Sequence, residues 1–360
     1  EQTGASHDPI VWVEASGSNV IDADGNRYVD LTSGFGLAFV GHRHPEVVEA
    51  VERQSSRLIH ALGDLYPSDV KIELLERLCA LSPWAESRAM LSLSGADAVT
   101  AALKTAVLAT GRTRVVAFEG GYHGLSYGPL AVSGYAERFR KPFAAQLQAD
   151  VHVAAWPRRG ASIDAFLRTL PTDWSDVGAV IVEPIQGGAG VRLPPPGFLR
   201  ALKRLCRASG ALLIVDEVLT GIGRCGAWWR AVDDGVVPDL ICAGKALGGG
   251  LPISACIGDR EVMNAWGDPD KEAIHTGTFY GDPLGAAAAL ATLELIEREQ
   301  WVKAAAERGS VFAQALRSEA LPGVEEVRHG GMLLGMELRG HMRALKIPRA
   351  RLERGCLVLP

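Results

Sequence analysis

The rhythm of apolar and polar positions changes twice along this 360-residue chain. Near the start, two alternating runs flank Asp24-Gly25 in NVIDADGNRYVDL. Period-two alternation around an Asp-Gly pair predicts a hairpin. Two amphipathic stretches follow, PEVVEAVERQSSRLI and SDVKIELLERLCAL, whose apolar residues recur at the spacing of one helix face. From about residue 90 short apolar runs alternate with helical stretches. The expected strands are VVAFE (115–119), AVIVE (179–183), ALLIVD (211–216), DLICAG (239–244) and PISACIG (252–258). GADAVTAALKTAVLAT and GFLRALKRLCRAS are among the helices between them. Strands that are apolar throughout are buried on both faces, so the pattern predicts an α/β fold with a mostly parallel sheet. Ligands bind such sheets beyond the carboxyl ends of the strands, and functional residues are expected just after those runs. A long helix, DPLGAAAALATLELIEREQ, leads into a smaller region near residue 300. The final RGCLVLP is an apolar run that reads as an interrupted domain.

Composition narrows the choices. The length suggests about two domains, and 48% hydrophobic residues allow a large core. A net charge of -5 argues against nucleic acid or an anionic membrane surface as partner. No apolar run reaches the roughly 18 residues of a membrane span. The opening EQTGASHDPI does not read as a signal peptide. The six cysteines make no CxxC pair and no cluster with zinc spacing, so no metal site is expected. Most sit in apolar segments as buried thiols, which points to a reducing, cytoplasmic setting.

Three motif matches fail on context. GIGRCG (221–226) fits the dinucleotide fingerprint, but DEVLT separates it from the strand and no clear helix follows, so a flexible glycine loop is the plainer reading. GLSYG (124–128) fits a nucleophile elbow, but Pro129 follows at once and PLAVSG does not read as a helix. AGKALGGG (243–250) has Ala246 where a phosphate loop needs Ser or Thr.

Four segments carry chemistry together. Lys245 follows DLICAG with no charged residue within four positions on either side. Such a lysine can lose its proton readily and form a Schiff base. Asp216 ends ALLIVD and reaches the ligand edge of the sheet, although helix caps and ion pairs use acids in the same way. Ser94 and Asp97 form a capping-box variant before a helix whose N-terminus can bind phosphate, with Gly95 permitting close approach. In FEGGYHG (118–124), Tyr122 places a flat ring on a glycine loop.

With VDLTSGFGLAFVGHRHPEVVEAV, VIVEPIQGGAGV, LLIVDEVLTGIGR, PDLICAGKALGGGLP and HTGTFYGDPLGAAAA, the chain resembles the class III aminotransferases. This family includes 4-aminobutyrate, ornithine and acetylornithine aminotransferases. The resemblance runs from about residue 10 to the end. It implies the pyridoxal-phosphate (PLP) transferase fold type I: a large domain around a mostly parallel central sheet beside a smaller α+β domain. The expected boundaries are 1–45 for the N-terminal part of the small domain, 46–300 for the PLP-binding domain and 301–360 for an incomplete C-terminal part.

It implies roles as well. Lys245 is the Schiff-base lysine and proton shuttle, and Asp216 pairs with the pyridinium nitrogen. Ser94, Gly95, Ala96, Tyr122, His123, Glu183, Val218 and Thr278 bind cofactor. Val218 and Tyr122 take opposite ring faces, Gly95 and Ala96 hold the phosphate, and Thr278 reaches the partner subunit's cofactor in a homodimer. Gly34, Phe35, Glu183 and Gln186 line the substrate site, with Glu183 as a gate acid that pairs with an arginine. The partners are a small amino donor, expected to carry a terminal (ω) amine, and a 2-oxo acid. Leu219 departs from a glutamine common in the family, and Asp97 and Asp282 replace the usual Glu and Asn. The carboxylate-clamping arginine is expected beyond the last residue. An aminomutase resembling glutamate-1-semialdehyde aminomutase, or a PLP-binding module without turnover, are the competing readings.

Overall fold

The computed structural model describes residues 10–157, 160, 162–267, 272–340 and 351–359. In chain order the described strands are β1 (Trp12–Ser16), β2 (Asn19–Asp22), β3 (Arg27–Asp30), β4 (Ser87–Ser92), β5 (Arg114–Phe118), β6 (Val151–Ala154), β7 (Val177–Val182), β8 (Leu212–Asp216), β9 (Leu240–Ala243), β10 (Ser254–Asp259), β11 (Val324–Gly330), β12 (Leu333–Leu338) and β13 (Cys356–Leu357).

Seven of these form the central sheet, in the order β4-β10-β9-β8-β7-β5-β6. The run from β9 to β6 is parallel, while β10 lies antiparallel to both β9 and β4. The apolar runs therefore form the mostly parallel sheet they predict. β7 is buried along its whole length, as a central strand between two helical layers must be. The helix Gly95–Thr110 packs on one face, where Ala98, Val99, Ala101 and Ala102 meet Ile181, Ile214 and Leu240. The helix Phe198–Ser209 covers the other, where Phe198, Leu199 and Leu202 meet Val180, Val182 and Leu213. Gly197 and Gly210 bound that second helix in left-handed conformations.

The hairpin around Asp24-Gly25 is present as β2 and β3. The Asp22 carboxylate accepts bonds from the N–H groups of Asp24 and Asn26 and from the Tyr28 hydroxyl, which fixes the turn. β13, near the chain's end, lies parallel to β3 in a four-stranded sheet with β1 and β2. Segments from both ends of the chain thus share one small layer, and the architecture has two domains. The helices Pro45–Arg57 and Pro283–Arg298 pack on each other beside the large sheet.

Two expectations need correction. GLSYG runs into a short helix, Tyr127–Val132, despite Pro129. Pro129 sits in the first turn, where its missing N–H has no helical partner to lose. The elbow still fails, because β5 ends at Phe118, well before Ser126. GIGRCG is no flexible loop: Ile222 and Cys225 are buried, and Ile222 and Gly223 pair with Trp228 and Ala227 in a tight turn.

Candidate active site

The residues expected to carry chemistry converge at the carboxyl edge of the central sheet. Asp216 ends β8, and Lys245 follows the adjacent β9. Glu183 follows β7, and the Tyr122–His123 loop follows β5. Ser94 follows β4, which points the same way as β9 because both oppose β10.

Lys245 adopts φ +40, an uncommon backbone conformation for a residue with a Cβ. Strain of this kind collects at functional sites because the surrounding structure must hold it. Among the described residues its ammonium has no hydrogen bond or ion pair. Burial lowers its pKa below the ordinary lysine value, against the opposing pull of Asp216 and Glu183. A lysine that gives up its proton readily is the nucleophile that Schiff-base chemistry needs.

Asp216 is 5% exposed. Its Oδ1 accepts from the Val218 N–H at 3.0 Å, and its Oδ2 accepts from His123 Nδ1 at 2.8 Å. The His123 N–H in turn donates to Ser133 Oγ. Burial works against charge on His123, but the bond to Asp216 and the charges of Asp216 and Glu183 outweigh it, so its pKa is raised. A buried acid held in this way is placed to face a cationic ring nitrogen.

Ser94 caps the helix Gly95–Thr110: Ser94 Oγ accepts from the Asp97 N–H, and Asp97 accepts from the Ser94 N–H. The cap leaves the Gly95 and Ala96 N–H groups without helical partners, which is how helix N-termini hold phosphate. Gly95 is required for space, since a Cβ there would lie 2.7 Å from Val218 Cγ1. Val218 also contacts the space beside Gly244, next to Lys245. The Tyr122 ring is partly open at 38% exposure and meets Tyr135 edge-on.

Other candidates are placed differently from expectation. Glu183 is held by backbone donors. Its two oxygens accept the backbone N–H groups of Tyr122 (2.8 Å) and Gly187 (3.1 Å), and among the described residues it pairs with no arginine. Burial pushes its pKa up to about 7, with the charge of His123 pulling the other way. It braces two loops against each other. Gln186 is almost fully buried and donates to the Glu119 carbonyl beside the Gly120 turn. Gly34 and the exposed Phe35 lie in a turn where Ser33, Gly34, Phe35 and Gly36 all have positive φ. Asp30 holds this turn by accepting from the Gly34 N–H and from Thr32. Thr278 is exposed, on the loop before the helix Pro283–Arg298.

Arg224 is a residue the sequence reading missed. It is buried inside GIGRCG, donates to the Ser33 hydroxyl and the Gly36 carbonyl, and lies over the Phe39 ring. Burial lowers its pKa to about 10. Its signal was a charged residue in an otherwise apolar glycine turn. Ser254 was also missed; its hydroxyl donates to the Ser94 carbonyl and steadies the cap.

A partly buried lysine with no partner among the described residues, an acid fixed by histidine, a capped helix N-terminus and a glycine shaved against Val218 together fit an aldehyde, a ring nitrogen and a phosphate. The family model "Aminotransferase class-III" matches residues 2–360. The chain belongs to the class III aminotransferases. It is 40% identical over 336 residues to the acetylornithine aminotransferase of Methanopyrus kandleri, covering 93% of this chain and 82% of the relative. It is 36% identical over 333 residues to a [LysW]-aminoadipate semialdehyde/glutamate semialdehyde transaminase of Sulfurisphaera tokodaii, covering 92% and 82%. Among solved structures, an (S)-enantioselective omega-transaminase from Thermomicrobium roseum superposes with a TM-score of 0.92 at 28% identity, covering 98% of this chain and 86% of that one. The Toxoplasma gondii ornithine aminotransferase does so at 0.89 and 30% identity, covering 98% and 83%.

As a class III aminotransferase the protein has the type I fold and PLP as cofactor, and it transfers amino groups between an amine or amino acid and a 2-oxo acid. No described helix is long and apolar enough to cross a membrane.

Proposed function

We propose that this aminotransferase takes its amino group from a primary, terminal amine, passes it to a 2-oxo acid, and works as a homodimer with shared sites. The observation that carries the assignment of roles is Lys245, partly buried near Asp216, without a hydrogen bond or ion pair among the described residues, with φ +40. When bound, PLP supplies an aldehyde that condenses with amines and a ring that accepts the electron pair left when a C–H bond breaks. With PLP bound, Lys245 Nζ would hold the cofactor through its aldehyde and would move the proton at the substrate carbon that carries the amine. Asp216 keeps the ring nitrogen protonated, and His123 keeps Asp216 in place. Gly95 and Ala96 hold the phosphate through N–H groups, with Ser94 fixing the cap. Val218 and Tyr122 would pack against the ring. Glu183 positions Tyr122 and the Gly187 turn.

The terminal-amine reading draws on the likeness to the omega-transaminase and the ornithine aminotransferase. The dimer reading draws on exposed apolar side chains beside Thr278. Ile274 and Phe279 flank it, and Leu62, Leu65 and Tyr66 belong to the loop that carries His60, whose ring meets Phe279 at 5.6 Å. Thr278 reaches across to the partner's phosphate in this reading. We place the domain boundaries at 45/46 and 300/301, because β13 joins β3 in the small layer. Six free thiols suit a reducing cytoplasm.

The test uses an isotopically labelled terminal amine. Addition of the donor alone bleaches the visible band of the purified enzyme, and a 2-oxo acid restores it with the label in a new amino acid. Label that stays on the donor's own skeleton would mean an aminomutase, and no transfer at all a binding module.

A further inference from the structure

We propose that Arg224 is a positioning residue for Lys245: its guanidinium grips the Gly36 carbonyl and the Ser33 hydroxyl, holds the turn 33–36 against the lysine's stem, and sets a fixed positive charge behind that turn. The proposal rests on the role given to Lys245 above and adds a residue that acts through it.

Two strained segments meet here. Lys245 has φ +40, and Ser33, Gly34, Phe35 and Gly36 have φ of +53, +56, +59 and +88. Such backbone persists only where its surroundings hold it. Asp30 holds one end of the turn, accepting from the Gly34 N–H at 2.8 Å. Arg224 holds the other end. Its Nη2 donates to the Gly36 carbonyl at 3.1 Å and to Ser33 Oγ at 3.3 Å, and Ser33 Oγ donates onward to the Ala38 carbonyl at 2.8 Å. A Cβ on Gly36 would lie 3.4 Å from Lys245 Cδ and 2.8 Å from Leu219 Cδ1, so the gripped turn is packed on the lysine's stem. Arg224 is itself fixed. Its carbonyl accepts from the Met332 N–H at 3.0 Å, and its guanidinium lies 4.8 Å from the centre of the Phe39 ring. A Cβ on Gly331 would fall 2.6 Å from the Arg224 carbonyl oxygen, so the turn between β11 and β12 is seated on this backbone.

A brace alone needs no charge. Arg224 is 7% exposed, has no carboxylate partner among the described residues, and keeps a buried Nε without a hydrogen bond. Burying a cation on such terms is costly, and a neutral amide could make the same bond to Gly36 for less. The charge has a use on the lysine's side of the turn. Burial is the larger cause of the lowered Lys245 pKa; Asp216 and Glu183 pull the other way, and Arg224 works with burial. A like charge disfavours the ammonium form, which keeps Nζ available as a base despite two acids nearby.

Arg224→Gln keeps a donor for the Gly36 carbonyl and loses the charge. Arg224→Met loses both and keeps bulk over Phe39. Urea titration shows whether each is folded. In cofactor-free, full-length protein, acetylation of Lys245 by acetic anhydride is followed across pH by peptide mass mapping. Its midpoint is expected to move upward in both variants, because the repelling charge is gone. In the holoenzyme kcat should fall about tenfold or more in Arg224→Met, since a displaced base loses rate steeply, and less in Arg224→Gln. KM should stay within about threefold in both, because the substrate's own contacts are untouched. Ser33→Ala removes one of the two acceptors of Nη2 and should lower kcat by a smaller factor with the same split. An unmoved Lys245 midpoint in both Arg224 variants, or wild-type kcat in Arg224→Met, overturns the proposal; if those variants do not fold, wild-type kcat in Ser33→Ala does so. Turnover that survives Lys245→Ala overturns the role of Lys245 itself and this proposal with it.

Discussion

Lys245 joins three conditions that rarely coincide in a lysine: partial burial beside acidic groups, no partner among the described residues, and a left-handed backbone. Borohydride reduction of the holoenzyme should fix a pyridoxyl group to Lys245, located by peptide mass mapping; a label on another lysine would sink the assignment. Lys245→Ala should still bind PLP through the phosphate cap and Asp216, with turnover lower by several orders of magnitude. A second residue gives a pH prediction. Glu217 is fully buried, accepting from the Thr220 hydroxyl and from the Ala231 N–H at 2.8 Å. Burial, partly offset by these bonds, raises its pKa from 4.5 to about 7. The folded state therefore binds this proton more tightly than the unfolded chain does. The stability it contributes is full below about pH 4.5 and is lost as pH rises through about 7, a swing on the order of 3 kcal/mol. Glu217→Gln keeps an oxygen for Ala231 and offers an amide to Thr220. Urea titrations should show it equal to wild type near about pH 5 and more stable by roughly 2 kcal/mol near about pH 8. Equal midpoints at both pH values would show that the carboxyl titrates normally. Lys245 and Asp216 were legible because each directly follows an apolar run. The Glu183 contact with Tyr122 was not legible, since that backbone donor lies 61 positions away, whereas its other donor, Gly187, is only four positions on.

At the scale of elements, the central strands were legible and the edge strands were not. β7 and β8 are continuous apolar runs because both their faces lie under helices. β4, reading SRAMLS, and β6, reading VHVA, lie at the two edges of the sheet. An edge strand is only partly covered, so its sequence carries polar residues and no clean period. The helix Tyr127–Val132 escaped because a proline in its first turn looks like a breaker when its register is unknown. The helix Gly95–Thr110 was legible from its cap, and its first residue invites a test. Gly95 has no positive φ, so alanine there suits the helix, and only space opposes it. The new Cβ would meet Val218 Cγ1 and Cγ2 at 2.7 and 2.9 Å. Gly95→Ala should therefore fold normally yet bind PLP about tenfold more weakly or worse, since Val218 must move from the ring's position. Fluorescence titration of the cofactor measures this. Unchanged affinity would mean that Val218 does not touch the ring.

For the whole molecule, the question is what covers the apolar surface around Thr278. Leu62, Leu65, Tyr66, Ile274 and Phe279 are all more than half exposed. The loops that carry them are tied together, Thr276 Oγ1 donating to the Asp64 carboxylate and the Phe279 ring meeting His60. Exposed apolar surface gathered on two tied loops is the kind that interaction sites use. In the proposed homodimer it meets its own copy, since a two-fold interface places one patch on both subunits. Each site then uses Lys245 from one subunit and Thr278 from the other. Complementation follows from that arithmetic. Lys245→Ala and a bulky charged substitution, Thr278→Glu, should each abolish activity alone. In a mixed dimer one site carries both lesions and the other carries neither. Mixing the two inactive proteins under conditions of subunit exchange should restore activity toward about a quarter of the wild-type value, since roughly half of the randomly paired dimers are mixed and each has one intact site. Differentially tagged subunits show that exchange has occurred. Exchange without recovered activity would place Thr278 in its own subunit's site, and the apolar loops would then be an interface without a catalytic share.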